Sequence, residues 1–155
     1  MQVRIVEGQD IAVGKLEHRG SPASVPGSVA TFIEWRKQSG LSPVRESRSF
    51  GIAYDDPDLV KPEDFRFDIC GSVAGPVPAN PQGIVDGVLP GGRCAVVRHA
   101  GSRDRVAESV YYLFRDWLPG SGEEPRDFPV YFEYLDAGTE TPEEQQQTDI
   151  FLPLK

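Results

Sequence analysis

Two cysteines, one methionine and two histidines are all that this 155-residue chain offers to metal or redox chemistry. Cys70 and Cys94 stand alone in apolar stretches, with no Cys-x-x-Cys pair and no histidine cluster. The spacing a metal site needs is missing, and two reduced, buried thiols are expected. Basic residues are also scarce: 16 Lys and Arg face 24 Asp and Glu, a formal net charge of −8. A surface of that sign repels phosphate backbones, so direct binding of nucleic acid is not expected. No apolar run approaches the roughly 18 residues of a membrane span. The opening Met1-Gln2-Val3-Arg4-Ile5-Val6-Glu7 lacks the apolar core of a signal peptide, so a cytoplasmic location is expected. Nor is there a glycine-rich loop of nucleotide-binding spacing, because Gly91-Gly92 leads into a strand rather than a helix. No cofactor is expected.

What remains is enough for a folded core: 39% of the residues are hydrophobic and 26% charged, values that exclude disorder. The chain also resembles itself. His18-Arg19-Gly20-Ser21 recurs 81 positions later as His99-Ala100-Gly101-Ser102. At the same offset Val25, Ser28, Val29, Phe32 and Ile33 meet Val106, Ser109, Val110, Leu113 and Phe114. The offset slips to 80 where Tyr54-Asp55-Asp56 faces Tyr134-Leu135-Asp136, and returns to 81 at Asp68-Ile69 and Asp149-Ile150. The order of these matches indicates a duplicated unit, with repeat one at about 1–73, a Pro- and Gly-rich linker at 74–83, and repeat two at about 84–155.

Each repeat reads as strand, helix, strand, strand. The predicted strands are Ile11 to His18, Ser49 to Tyr54 and Phe65 to Val73, then Arg93 to His99, Val130 to Leu135 and Asp149 to Leu154. Gly20 and Gly101 supply the turn into each helix. Ser24 and Ser102 are the expected caps, and Gly40 and Pro119-Gly120 the expected stops. The helical stripes are Val25, Val29, Phe32 and Ile33 in the first repeat, and Val106, Val110, Leu113, Phe114, Trp117 and Leu118 in the second. The fold class is α+β: two helices on a curved antiparallel sheet, the two repeats related by a pseudo-two-fold axis, with a ligand cleft expected between them.

Several segments together resemble GyrI-like small-molecule-binding domains, and most nearly the effector-binding half of AraC-type transcription regulators. They are Leu89-Pro90-Gly91-Gly92-Arg93-Cys94-Ala95-Val96-Val97-Arg98-His99, Gly51-Ile52-Ala53-Tyr54-Asp55-Asp56-Pro57, Phe65-Arg66-Phe67-Asp68 and Thr148-Asp149-Ile150-Phe151-Leu152-Pro153-Leu154. The resemblance implies a pocket for amphipathic, often cationic or aromatic, small molecules, and a place among drug binders, a gyrase inhibitor and hydrolases of cyclopropane toxins. The family's Pro-x-Phe-Glu-x-Tyr is matched here by Pro129-Val130-Tyr131-Phe132-Glu133-Tyr134. The Pro-to-Tyr spacing is kept, so Phe132 takes the place of the family's glutamate. Glu133, displaced by one residue, is expected on the opposite face of its strand. No DNA-binding helix-turn-helix is expected ahead of the first repeat.

The candidate ligand-binding residues are Trp35, Tyr54, Asp68, Tyr111, Phe132, Glu133 and Tyr134. Phe132 and Tyr134 share a strand face with Val130, either as an aromatic wall of the pocket or as plain core packing. Tyr54 and Tyr134 are aligned as repeat equivalents. Asp68 has Arg66 on its own face, the spacing of a structural ion pair, and Trp35 either leans over the cleft or covers the sheet. Tyr111 lies beside the second helical stripe. His18 and His99 are expected to stabilise turns, since no oriented partner for catalysis is visible. The function read from these residues is binding of aromatic or amphipathic small molecules, for drug sequestration or for effector sensing on behalf of a protein partner. The alternatives are a cofactor-free hydrolase of reactive toxins and a gyrase-inhibitor-like interaction module.

Overall fold

Gly20 and Gly101 turn the chain from strand to helix at backbone φ values of 125° and 115°, a region open to glycine because it has no Cβ. In the computed structural model, which describes residues 1–155, they punctuate ten principal elements. These are β1 (Val3–Gly8), β2 (Ile11–Arg19), α1 (Val25–Ser39), β3 (Ser49–Ala53), β4 (Arg66–Ser72), β5 (Val85–Leu89), β6 (Gly92–Ala100), α2 (Val106–Tyr111), β7 (Tyr131–Tyr134) and β8 (Gln147–Pro153). Beyond α2 the helix widens into a π-helical stretch, Tyr112–Trp117, and ends in a tight turn at Leu118–Gly120. Two helices with antiparallel strands make the fold α+β, as expected.

The chain divides into two compact units, Ile11–Leu89 and Met1–Asp10 with Pro90–Lys155. In the first, antiparallel pairing gives the order β3-β4-β2-β5. In the second it gives β7-β8-β6-β1. The units are not the halves of the sequence. Strand β1 pairs with β6, and β5 pairs with β2, so each half lends its leading strand to the other. The Pro-rich segment 74–83 consequently lies inside the first unit rather than between units. The sequence reading missed β1 and β5 because each is five or six residues long and pairs with a strand distant in sequence.

Ser24 is the N-cap position of α1, as expected, but its hydroxyl donates back to the Ser21 carbonyl instead of capping the helix; Ser21 caps the preceding 3-10 turn, Pro22–Ser24, by accepting the Ala23 N–H. Gly40 closes α1 in the left-handed conformation at φ 66°. Its buried face is Phe32, Trp35 and Arg36, while Val29 and Ile33 of the expected stripe are exposed. The rotation has a physical cause. Trp35 seats its ring on Gly14, where a Cβ would stand 2.7 Å from the indole, and packs with Phe32, Ile69 and Ile84. Arg36 lies on Gly71 and donates to the hydroxyls of Ser49, at 2.8 Å, and Ser42, at 3.4 Å. No carboxylate meets this guanidinium in those bonds, and burial lowers its pKa to about 10. In the second unit Leu113 is fully buried and Phe114 is exposed, so the expected stripe narrows there too.

Candidate functional site

A histidine fixes each helix to its sheet. Ser28 donates its hydroxyl to His18 Nδ1 at 2.7 Å, and the opposite ring nitrogen meets the carbonyls of Gly20 and Ser21 at 3.1 and 3.0 Å. Carbonyls only accept, so Nε2 carries the proton and Nδ1 is the acceptor. His99 repeats the arrangement with Ser109 at 2.8 Å and the Ser102 carbonyl at 2.9 Å. Both ring nitrogens are committed in each case, which makes these histidines turn locks and leaves them no free base for catalysis.

The locks define which sheet face carries the helix. In the second unit that face contains His99, Thr148 and Tyr134, which lie level across β6, β8 and β7, with Phe132 beside Ile150 one step along. Phe132 is buried and Tyr134 half-buried, their ring centroids 6.4 Å apart. The Arg103 guanidinium lies 5.3 Å from the Tyr134 ring centre, and Arg115 lies 4.4 Å from that of Tyr111. The two rings therefore stand side by side on the helix side, and a cation of the protein covers one of them. Arg103 and Thr148 escaped the sequence reading. Neither residue type signals an aromatic site, and Thr148 meets Tyr134 only through cross-strand register.

Glu133 stands on the other face, because β7 is continuous from Tyr131 to Tyr134 with no bulge to turn it back. There it lies directly opposite Asp149. Asp149 is buried, receives two bonds from Arg98 at 2.8 and 3.1 Å, and takes a third from Arg4 at 3.1 Å. Two carboxylates facing each other across a ladder repel, and the two arginines offset that repulsion. The hydrogen bonds to Asp149 raise the pKa of the Arg98 guanidinium above its ordinary value, and the charge of Glu133 adds to that shift.

The remaining candidates lie in the first unit. Trp35 is 1% exposed under α1, so it covers the sheet. Asp68 is fully buried on the face away from α1, and two corrections to the sequence reading follow from its surroundings. Arg66 does not pair with it, being held instead by Asp55 at 3.0 Å. The partners of Asp68 are Arg19 at 2.9 Å, Lys15 at 3.8 Å and the Tyr54 hydroxyl, which donates at 2.7 Å. Tyr54 and Tyr134 are not equivalent either. Asp68 lies opposite Ile52 as Asp149 lies opposite Glu133, so Ala53 is the counterpart of Tyr134 and Tyr54 belongs to the other face. Sandwiched between Arg19 and Arg66, each 5.5 Å from its ring centre, Tyr54 closes a polar network. Burial and the Asp68 carboxylate push its phenol above the usual range.

No group of three or more His, Cys, Asp or Glu is arranged to hold a metal ion, and no helix is long and apolar enough to cross a membrane. Comparison with known proteins agrees with the geometry. The family described as the GyrI-like small molecule binding domain matches residues 1–155. The chain is 47% identical over 154 residues to the "Probable transcriptional regulator YgiV" of Escherichia coli K12, covering 99% of this chain and 96% of that protein. Among solved structures, the EcmrR C-terminal domain superposes with a TM-score of 0.81 at 18% identity, covering 99% of this chain and 97% of that one. In the EcmrR–DNA complex the match is 57% of the longer EcmrR chain, with a TM-score of 0.79. The structure of SAV2435 bound to tetraphenylphosphonium has a TM-score of 0.58 at 14% identity, covering 100% of this chain and 94% of that one.

Proposed function

The chain belongs to the family of GyrI-like small molecule binding domains, and from that premise we propose that it binds aromatic or amphipathic small molecules against the helix-side wall of β7. The observation that carries the reading is the Phe132–Tyr134 pair, two adjacent rings on the face that also holds α2. Flat apolar ligands gain from burying their area against such rings and from offset stacking. Binding of this kind suits a cytoplasmic protein that senses an effector or sequesters a drug. The net charge of −8 supports a role without direct contact to nucleic acid, any regulatory output passing through a protein partner. Glu133 faces Asp149 and not this wall, which removes the carboxylate that hydrolysis of a ligand stacked there would use.

The test is a thermal-shift screen of cationic, neutral and anionic aromatics. A ligand at about 100 times its Kd stabilises by about 2.7 kcal/mol. For a chain of this size that raises Tm by roughly 5–11 °C. Phe132→Ala and Tyr134→Ala should each reduce the shift. No shift across the panel, or shifts indifferent to both variants, would overturn the proposal.

A further inference from the structure

The wall at Tyr134 carries polar atoms that nothing in the protein satisfies. Thr148 is 0% exposed and its hydroxyl has no hydrogen-bond partner. It cannot turn to the His99 ring, whose two nitrogens are already bonded to Ser109 and Ser102. Arg103, whose guanidinium covers the Tyr134 ring, has its buried Nε–H equally without a partner. Thr148 lies level with Tyr134 across the ladder, so two orphaned donors flank one aromatic side chain.

The first unit shows that the frame does not need them. It builds the same histidine lock, the same glycine turn and the same ladder. There the counterparts of Arg103, Thr148 and Tyr134 are Pro22, Phe67 and Ala53, three residues with no side-chain donor at all. Buried donors without acceptors are costly, and a position that tolerates phenylalanine in the sister unit has no structural call for a hydroxyl.

We propose, resting on the binding function above, that Thr148 and Arg103 are specificity-determining donors. They select aromatic ligands that carry a hydrogen-bond acceptor, a carbonyl or carboxylate, over ligands that are aromatic alone. The ring stacks on Phe132 and Tyr134, and a rotation of the Tyr134 side chain that keeps its ring against the ligand opens the Thr148 O–H and the Arg103 Nε–H to the acceptor. The prediction separates this wall from a general hydrophobic trap, which would rank ligands by apolar area alone.

The experiment compares the naphthalene dye Prodan, which has a ketone, with its ketone-free parent dimethylaminonaphthalene, by fluorescence titration and by Tm. Wild type should favour Prodan. Thr148→Val and Arg103→Met should each weaken Prodan about tenfold, equivalent to about 1.4 kcal/mol, and change the parent by less than about twofold. Thr148→Ser should retain the Prodan affinity. Without ligand, Thr148→Val should leave Tm unchanged or raise it, because it removes an unsatisfied hydroxyl and keeps the shape. Equal effects on both dyes, or none on either, would overturn the proposal. So would a fall of several degrees in the Tm of unliganded Thr148→Val, or its failure to fold, since the hydroxyl would then have a structural partner. Failure of the wild type to bind either dye would defeat the binding function itself and this inference with it.

Discussion

Ligand charge is where the geometry makes its most exposed prediction. Phe132 lies on the helix side of β7, and Glu133 faces Asp149 and Arg98 on the opposite side. A cationic ligand on the aromatic wall therefore meets no carboxylate from this strand. What it gains is a cation–π contact, about 0.5–2 kcal/mol. Arg103 already sits 5.3 Å from the Tyr134 ring centre, so a second cation there also meets repulsion, which moves the gain toward the lower end. The surface charge of −8 adds little, since it is screened over about 8 Å at physiological salt. The expected preference for a cation over its neutral isostere is at most about tenfold, or about 1.4 kcal/mol. Phe132→Glu should change this sharply. A carboxylate about 4 Å from a ligand cation is worth about 4 kcal/mol at an effective dielectric near 20. After desolvation, a preference of the order of a hundredfold remains. Isothermal titration of methylacridinium and methylacridine, at a pH where the latter is neutral, reads both numbers. A wild-type cation preference of a hundredfold or more would refute the reasoning, and an unchanged preference in Phe132→Glu would remove Phe132 from the binding wall.

Three further outcomes are expected. Gly14→Ala places a Cβ 2.7 Å from the buried Trp35 ring, so calorimetry should find it destabilised by about 1–3 kcal/mol. Gly8→Ala, with nothing within 4 Å, should be nearly neutral; equal Tm values for the two would refute the packing account. Tyr54→Phe removes the 2.7 Å bond to the buried Asp68 carboxylate and should lower urea-unfolding stability by about 1.5–3 kcal/mol, with ligand affinity unchanged. A loss of affinity without a loss of stability would place Tyr54 at the ligand instead. Arg66 holds the Asp55 carboxyl below its ordinary value. Stability from that pair is thus fully present above about pH 4 and disappears as the pH falls through the lowered value. Asp55→Asn should flatten the acid limb of the stability curve, and an unaltered limb would show that the exposed pair contributes nothing.

The local frame was legible in the amino acids themselves. Gly20 and Gly101 mark their turns because no other residue adopts those backbone angles freely, and Gly40 ends α1 for the same reason. Glu133 could be assigned to the face opposite Phe132 because strand side chains alternate with period two. The 81-residue offset likewise carried His18, Ser28 and their counterparts, whose roles depend on neighbours close in sequence. Other features depend on partners far along the chain. Which side of α1 is buried was decided by Gly14 and Gly71, where missing side chains admit Trp35 and Arg36. That preference outweighs the apolar spacing of Val29 and Ile33. Asp68 found Arg19 rather than Arg66, because the side chain that completes a buried ion pair is chosen by distance across the ladder and not by proximity in sequence. The equivalence of Tyr54 and Tyr134 failed by a single residue, and one residue of register in a strand exchanges its faces. The exchange of β1 and β5 between the two halves of the sequence is tertiary throughout: a strand of five or six residues acquires stable backbone hydrogen bonds only from the neighbour it pairs with, and those neighbours are brought to it by the folded chain.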